Sequence, residues 1–287
     1  MDGKKNIYET SQAIGLTALR ALLYEVSVTP KPGLVDRTNS GAHSDMDFFM
    51  FLDSGCAIFP YLARCAQTGM ECSGYPVAEV FEQLQEIGLQ AEREMLNATG
   101  GINTHRGAIF SLGVLCAAVG SCEAADQDYT EEDVFGAAAR LGKCAQAKIR
   151  QHAAVPYHRF GLLGARGEAA QGFPHVRNIA LPTYRTFRKK GMSANEAGAR
   201  VLLLLIADVD DTNVAMRKGL TAARGTKVLA HKLLEGRSRS LSEIEALDRT
   251  FIQNNISPGG CADLLAAAFF LDFWAGYRKN KDVQAPR

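Results

Sequence analysis

Apolar residues recur every three or four positions along almost the whole chain, and the alternation of apolar and polar residues that marks a strand is nowhere sustained. A sequence patterned in this way buries its apolar surface by packing helix on helix. In the first segment Leu16, Leu19, Leu22, Leu23 and Val26 keep the period, with Thr17, Arg20 and Glu25 between them. The same spacing predicts helices over residues 46–67, 77–96, 108–119, 132–149, 195–207, 214–234, 241–252 and 261–277. The expectation is an all-α protein of roughly nine to eleven helices. Alanines and glycines inside these segments point to closely packed helices. No fixed-period repeat or low-complexity linker divides the chain, so residues 1–287 read as one domain.

Charge and cysteine usage narrow the classes of function. The formal net charge is +1, which gives a nucleic-acid partner no global electrostatic support. An anionic ligand must therefore be met by local basic groups. The seven cysteines are odd in number and contain no C-x-x-C pair, which argues for free thiols in a reducing cytoplasm. No apolar signal region follows Met1, and uninterrupted apolar runs such as Val201 to Ala207 fall far short of the ~20 residues that span a bilayer. A soluble, cytoplasmic protein without a membrane partner is expected.

Polar residues without an obvious structural task collect in the connections. Thr29-Pro30-Lys31-Pro32-Gly33-Leu34-Val35-Asp36-Arg37 stops the first helix and is followed by Ser40-Gly41-Ala42-His43-Ser44-Asp45-Met46, where Asp45 reads as a helix cap. Thr99-Gly100-Gly101-Ile102-Asn103-Thr104-His105-Arg106-Gly107 runs into an apolar helix, and free amides at such a start suit phosphate. Asn103 or Thr104 would cap that helix. A Gly-rich basic stretch over residues 152–174 reads as a long loop containing Arg166 and Glu168. Asp208-Val209-Asp210-Asp211-Thr212-Asn213, with Arg217 a turn later, offers oxygen ligands to magnesium, although it is not an EF-hand loop. Ser257-Pro258-Gly259-Gly260 has the form of a helix start, Ser257 as its cap, with Asp263 the odd residue one turn inside. His152, His158 and His231 lack metal-ligand spacing and read as ordinary polar positions.

Taken in order from Glu25 to Leu271, these motifs resemble the triphosphoribosyl-dephospho-coenzyme A synthase family. Arg106 stands where lysine is also expected in the family. The resemblance implies an all-α fold and a transfer reaction in which ATP and 3′-dephospho-CoA give 2′-(5″-triphosphoribosyl)-3′-dephospho-CoA and adenine. It also implies a link to the acyl carrier subunit of citrate lyase or malonate decarboxylase. For that chemistry the carboxylates Asp36, Glu168 and Asp263 are the catalytic candidates. Lys31, Arg37, His43, Asn103, Thr104, His105, Arg106, Arg166, Asn213, Arg217, Ser257 and Gly259 are the substrate-binding candidates, and Asp208 and Asp211 the magnesium ligands. Two alternatives fit the same residues. One is a magnesium-dependent all-α ribosyl hydrolase, and the other a non-catalytic helical nucleotide-binding protein.

Overall fold

The computed structural model describes residues 7–125, 128–151, 159–235 and 240–284. Among them are twelve α-helices, one π-helical turn and no strand. They are α1 (Ile7–Ser27), α2 (Phe48–Glu71), α3 (Val77–Ala98), α4 (Arg106–Ala125), α5 (Glu131–Gln151) and α6 (Gly164–Ala170). A π-turn (Val176–Ala180) then leads into α7 (Leu181–Lys189), followed by α8 (Ala194–Asp208), α9 (Thr212–Lys218), α10 (Leu220–Glu235), α11 (Leu241–Gln253) and α12 (Gly259–Gln284).

Two helices form the middle of the fold. From Ala108 to Val119 all but one residue of α4 is buried or nearly so, and it packs against α1, α2, α3, α5, α6 and α12. Helix α12 contributes Leu264 to Leu271 as a continuous buried run and meets α1, α4, α7, α8 and α9. The small residues act as the sequence suggests. A methyl group on Gly69 would lie 2.0 Å from the Ala117 carbonyl oxygen, and one on Gly120 would lie 2.1 Å from that of Ala66. Backbones of α2 and α4 therefore touch directly, which any side chain at these positions would prevent.

The helical period holds in α1, with the inward face rotated. Leu16 is exposed, while Ile14, Ala18, Ala21, Leu22 and Glu25 are buried together with Thr17. The expected single helix over 214–234 is broken at Gly219, whose φ of 87° ends α9 and separates it from α10. The expected loop of residues 152–174 contains α6. That helix carries two glycines and no large side chain inside a recognisable stripe, so it owes its existence to packing on α5 rather than to local propensity. His152 and His158 lie outside the described residues, and His231 is exposed.

The caps and the apolar helices add two corrections. Asp47, not Asp45, caps α2 by accepting the Met50 amide at 2.9 Å. Three helices, α2, α4 and α12, are long and apolar enough to cross a bilayer, although no uninterrupted run is. In α4 78% of that apolar window is buried inside the fold, so its hydrophobicity serves the core. All seven cysteines are free thiols, with Cys65, Cys116, Cys122 and Cys261 buried.

Candidate active site

The loops between α1 and α2, α3 and α4, and α11 and α12 converge with α6 and α9 around a cavity of about 1030 Å³. The first loop is set by two buried carboxylates. Asp36 accepts the Lys31 amide at 3.2 Å, the Thr38 amide and hydroxyl at 2.7 Å each, and the Asn39 amide at 3.1 Å. Asp248, contributed by α11, accepts the Gly33 amide at 2.8 Å and the Asn39 side-chain amide at 3.0 Å. Asp36 is thus committed to the loop backbone and is absent from the cavity wall. Its expected catalytic place is not where the fold puts it. Arg37 is likewise turned away, exposed and donating to Asn195 at 3.0 Å, the residue whose side chain also clamps Thr29.

Lys31 does reach the cavity but arrives paired. Its ammonium lies 2.5 Å from Glu25, and both side chains are buried. Burial pushes the Glu25 carboxyl up, and Lys31 opposes that shift. A buried pair of this kind holds geometry more than it adds stability. Its spacing among the leucines of α1 sets Glu25 on the polar side of the helix, yet packing turns it inward. The stripe Ile14, Ala18, Ala21, Glu25 is the signal that could have found it.

The second loop presents a relay. Asn103 caps α4 by accepting the Arg106 amide at 3.1 Å. Thr104 donates to the Ser54 hydroxyl at 2.7 Å, and Ser54 in turn lies 2.7 Å from His105 Nδ1. With the Ser54 proton directed to Nδ1, the ring carries its own proton on Nε2. That atom is buried and has no partner among the described residues. Burial, with Lys31 nearby, pushes His105 down to about 3, so the ring is a neutral donor. Arg106 is exposed and donates to Glu92 at 3.0 Å.

The remaining walls bring together most of the expected binding residues. His43 Nε2 sits 2.8 Å from the Ser257 hydroxyl, so Ser257 serves His43 instead of capping α12. Burial, then the charge of Arg217, lowers His43. Arg166 on α6 and Arg217 on α9 face the cavity from exposed positions, and neither has an ion-pair partner among the described residues. Asn213 and Gly259 adjoin each other at the wall, with α12 starting beside them.

Asp263 stands where this cavity meets a smaller one of about 250 Å³. A methyl group on Gly107 would fall 2.0 Å from its Oδ2, so the glycine at the start of α4 makes room for this carboxyl. Asp263 has no hydrogen-bond partner among the described residues. Burial pushes it well above the carboxylate range, Glu25 and Asp211 reinforce the shift, and Lys31 opposes it. Burial therefore favours its protonated form over the bare carboxylate.

Glu168 lines only the smaller chamber, where its Oε1 contacts His175 Nδ1 while Oε2 is buried without a partner. The proposed magnesium ligands are not assembled as a pair. Asp211 caps α9, accepting the amides of Asn213 at 2.7 Å and Val214 at 3.2 Å, and its other oxygen accepts the Cys261 amide at 3.1 Å. Asp208 faces His175 at 3.4 Å. Among the described residues no group of three or more His, Cys, Asp or Glu is placed to hold a metal ion. The donor set does not fit a resident magnesium site, because Asp211 spends its oxygens joining two helix starts.

Comparison with known proteins agrees with this architecture. The family model described as CitG, ATP:dephospho-CoA triphosphoribosyl transferase, matches residues 11–282. The chain is 40% identical over 275 residues to a 2-(5″-triphosphoribosyl)-3′-dephosphocoenzyme-A synthase of Escherichia fergusonii, covering 91% of each. It is 38% identical over 278 residues to a "Probable 2-(5″-triphosphoribosyl)-3′-dephosphocoenzyme-A synthase" of Vibrio cholerae, covering 92% of this chain and 88% of that one. A crystal structure from Archaeoglobus fulgidus, described as a "putative triphosphoribosyl-dephospho-coA synthase", superimposes with a TM-score of 0.50 at 18% identity. It covers 77% of this chain and 96% of its own, a likeness of fold.

Proposed function

The chain belongs to the CitG family of ATP:dephospho-CoA triphosphoribosyl transferases, and from that membership we infer how its cavity carries the reaction. It is a transferase that moves the triphosphoribosyl group of ATP to 3′-dephospho-CoA and releases adenine. The single observation that carries the mechanism is Asp263, an unpaired, protonation-prone carboxyl at the junction of two compartments.

The glycosidic bond between the anomeric carbon and N9 of ATP breaks as the 2′-hydroxyl oxygen of the acceptor bonds to that carbon. Positive charge builds on the sugar along the way, as in glycoside hydrolysis. A protonated Asp263 gives its proton to the departing adenine. The carboxylate left behind faces the developing cation, and takes the proton of the attacking hydroxyl. One proton has then moved from acceptor to adenine, and Asp263 is restored.

The triphosphate is held but not cut, so its partners need only neutralise it. Arg106, Arg166 and Arg217 serve this role from three elements, together with the amide-rich starts of α4 and α12. The buried Nε2–H of His105 donates to a substrate oxygen. Lys31 stays paired with Glu25 rather than meeting phosphate itself. Magnesium enters with ATP as part of the substrate. An apolar groove of about 140 Å³ joins the main cavity at Glu92, Phe110 and Arg166, and its lining of Phe81, Leu84 and Ile109 suits the pantetheine arm. The product serves the acyl carrier protein of citrate lyase or of malonate decarboxylase, in a soluble cytoplasmic setting.

The test is incubation of the purified protein with ATP, magnesium and 3′-dephospho-CoA, following free adenine by chromatography. Adenine release that requires the acceptor, with a product heavier by one triphosphoribosyl unit, is the expected result. Release without the acceptor would instead identify a ribosyl hydrolase, and no release would leave a binding protein.

A further inference from the structure

The smaller chamber differs from the main cavity in its charges and in its unfilled bonds. Its lining contains no lysine or arginine, whereas Glu168, Asp208, Asp210, Asp211 and Asp263 all contribute to it. The three arginines lie on the other side of Asp263, in the main cavity. Among the described residues the unpaired cationic side chains that can hold a triphosphate therefore line only the main cavity, while in the chamber Asp210 is already paired with Lys227 at 2.9 Å.

Two polar atoms are left over in the chamber. Ser111 is fully buried within α4, and its hydroxyl makes no hydrogen bond among the described residues. Glu168 Oε2 is also buried and unpartnered. Its sister oxygen is fixed by His175, which is itself braced against Asp208 at 3.4 Å. Orphaned buried groups cost free energy unless something fills them, so they point to a ligand that supplies one acceptor and one donor. The volume of about 250 Å³ equals that of about eight liquid waters, room for one planar bicyclic base.

We propose that this chamber is the adenine site of ATP, with Ser111 and Glu168 as the residues that select the base. The Ser111 hydroxyl donates to a ring nitrogen, and Glu168 Oε2 accepts from the exocyclic amino group. His175 is a positioning residue that holds Glu168. ATP then lies with its base in the acidic chamber, its triphosphate among the arginines, and its glycosidic bond at Asp263. The proposal rests on the transferase reading, since both compartments must be used by one donor.

The experiment compares ATP with inosine triphosphate and purine riboside triphosphate, which replace or lack the amino group. Wild type is expected to lose about 10- to 100-fold in kcat/KM with either analogue. In Glu168→Gln the preference for ATP over inosine triphosphate should shrink at least about tenfold, because an amide can donate to the 6-oxo group. A ratio measured within one variant is insensitive to general structural damage. Labelled adenine should bind wild type directly, compete with ATP, and bind Ser111→Ala about tenfold more weakly. Equal use of the three nucleotides, an unchanged ratio in Glu168→Gln, or competition with dephospho-CoA instead of ATP would each overturn the assignment. Absent acceptor-dependent turnover in wild type would count against the transferase reading alone, and adenine binding would still decide the chamber.

Discussion

Replacing His105 with asparagine should make the protein less sensitive to mild acid. The ring is 3% exposed and is pushed from its ordinary 6.5 down to about 3, by burial first and by Lys31 second. A histidine whose folded value is depressed contributes stability above its unfolded value, and that contribution is lost as pH falls toward the folded one. The window here runs from about 6.5 down to about 3. At pH 7.5 the imidazole is neutral in both states, and the cost is negligible. At pH 5 the unfolded ring is almost fully protonated and the buried one is not. At about 1.4 kcal/mol per pH unit, that difference removes about 2 kcal/mol of stability. Asparagine keeps a partner for Ser54 without titrating. Urea unfolding of both proteins at pH 7.5 and pH 5.0 isolates the effect, since other groups, His43 included, cancel in the comparison. With a urea slope of about 3 kcal/mol/M, the wild-type midpoint should fall by about 0.7 M more than that of the variant. Equal losses, within about 0.5 kcal/mol, would refute a neutral buried His105.

Asp263→Asn should lower kcat by about 10²- to 10⁴-fold. It should leave stability equal or greater at pH 8, because a raised carboxyl stabilises the fold at low pH and loses that contribution as pH rises through its folded value. A less stable variant in urea unfolding at pH 8 would contradict the assignment. Arg166→Ala and Arg217→Ala should each raise KM for ATP by about 10- to 100-fold, the range for a lost charge-assisted bond. Arg37→Ala, on the far side of the loop, should leave KM within about twofold of wild type by the same steady-state assay. Gly107→Ala should displace the Asp263 carboxyl and cut kcat at least about tenfold, with a small change in melting temperature. A kcat equal to that of wild type would place Asp263 outside the chemistry.

Helical content and the starts of most helices could be read from the sequence because both depend on neighbours within a turn or two, whereas Leu181–Lys189 carried no such signal. The stretches expected to carry chemistry also came from local signs, such as charged residues beside glycines at helix starts, and most of them do meet at one cavity. Lys31, His43, Asn103, Thr104, His105, Arg106, Arg166, Asn213, Arg217, Ser257, Gly259 and Asp263 all lie on its wall. Glu168 sits in the adjoining chamber, and the expected roles of Asp36, Arg37, Asp208 and Asp211 did not follow from motif alone.

The reason lies in who occupies a carboxylate's lone pairs. Asp36 and Asp263 are alike in sequence terms, each an acid in a Gly-containing motif. One is saturated by amides and a hydroxyl from its own loop, while the other is left unpaired because Gly107, far away in the chain, opens space beside it. Asp211 is claimed by Cys261, fifty residues on, and Gly33 is held by Asp248 on α11. Glu25 became part of the site because packing turned its side of α1 inward. The sequence by itself determined that this chain would be helical and which stretches would carry its chemistry, since period and composition act locally. Tertiary structure alone decided which acids remain unpaired and how the cavity divides, because burial and hydrogen-bond satisfaction are properties of segments brought together from distant parts of the chain.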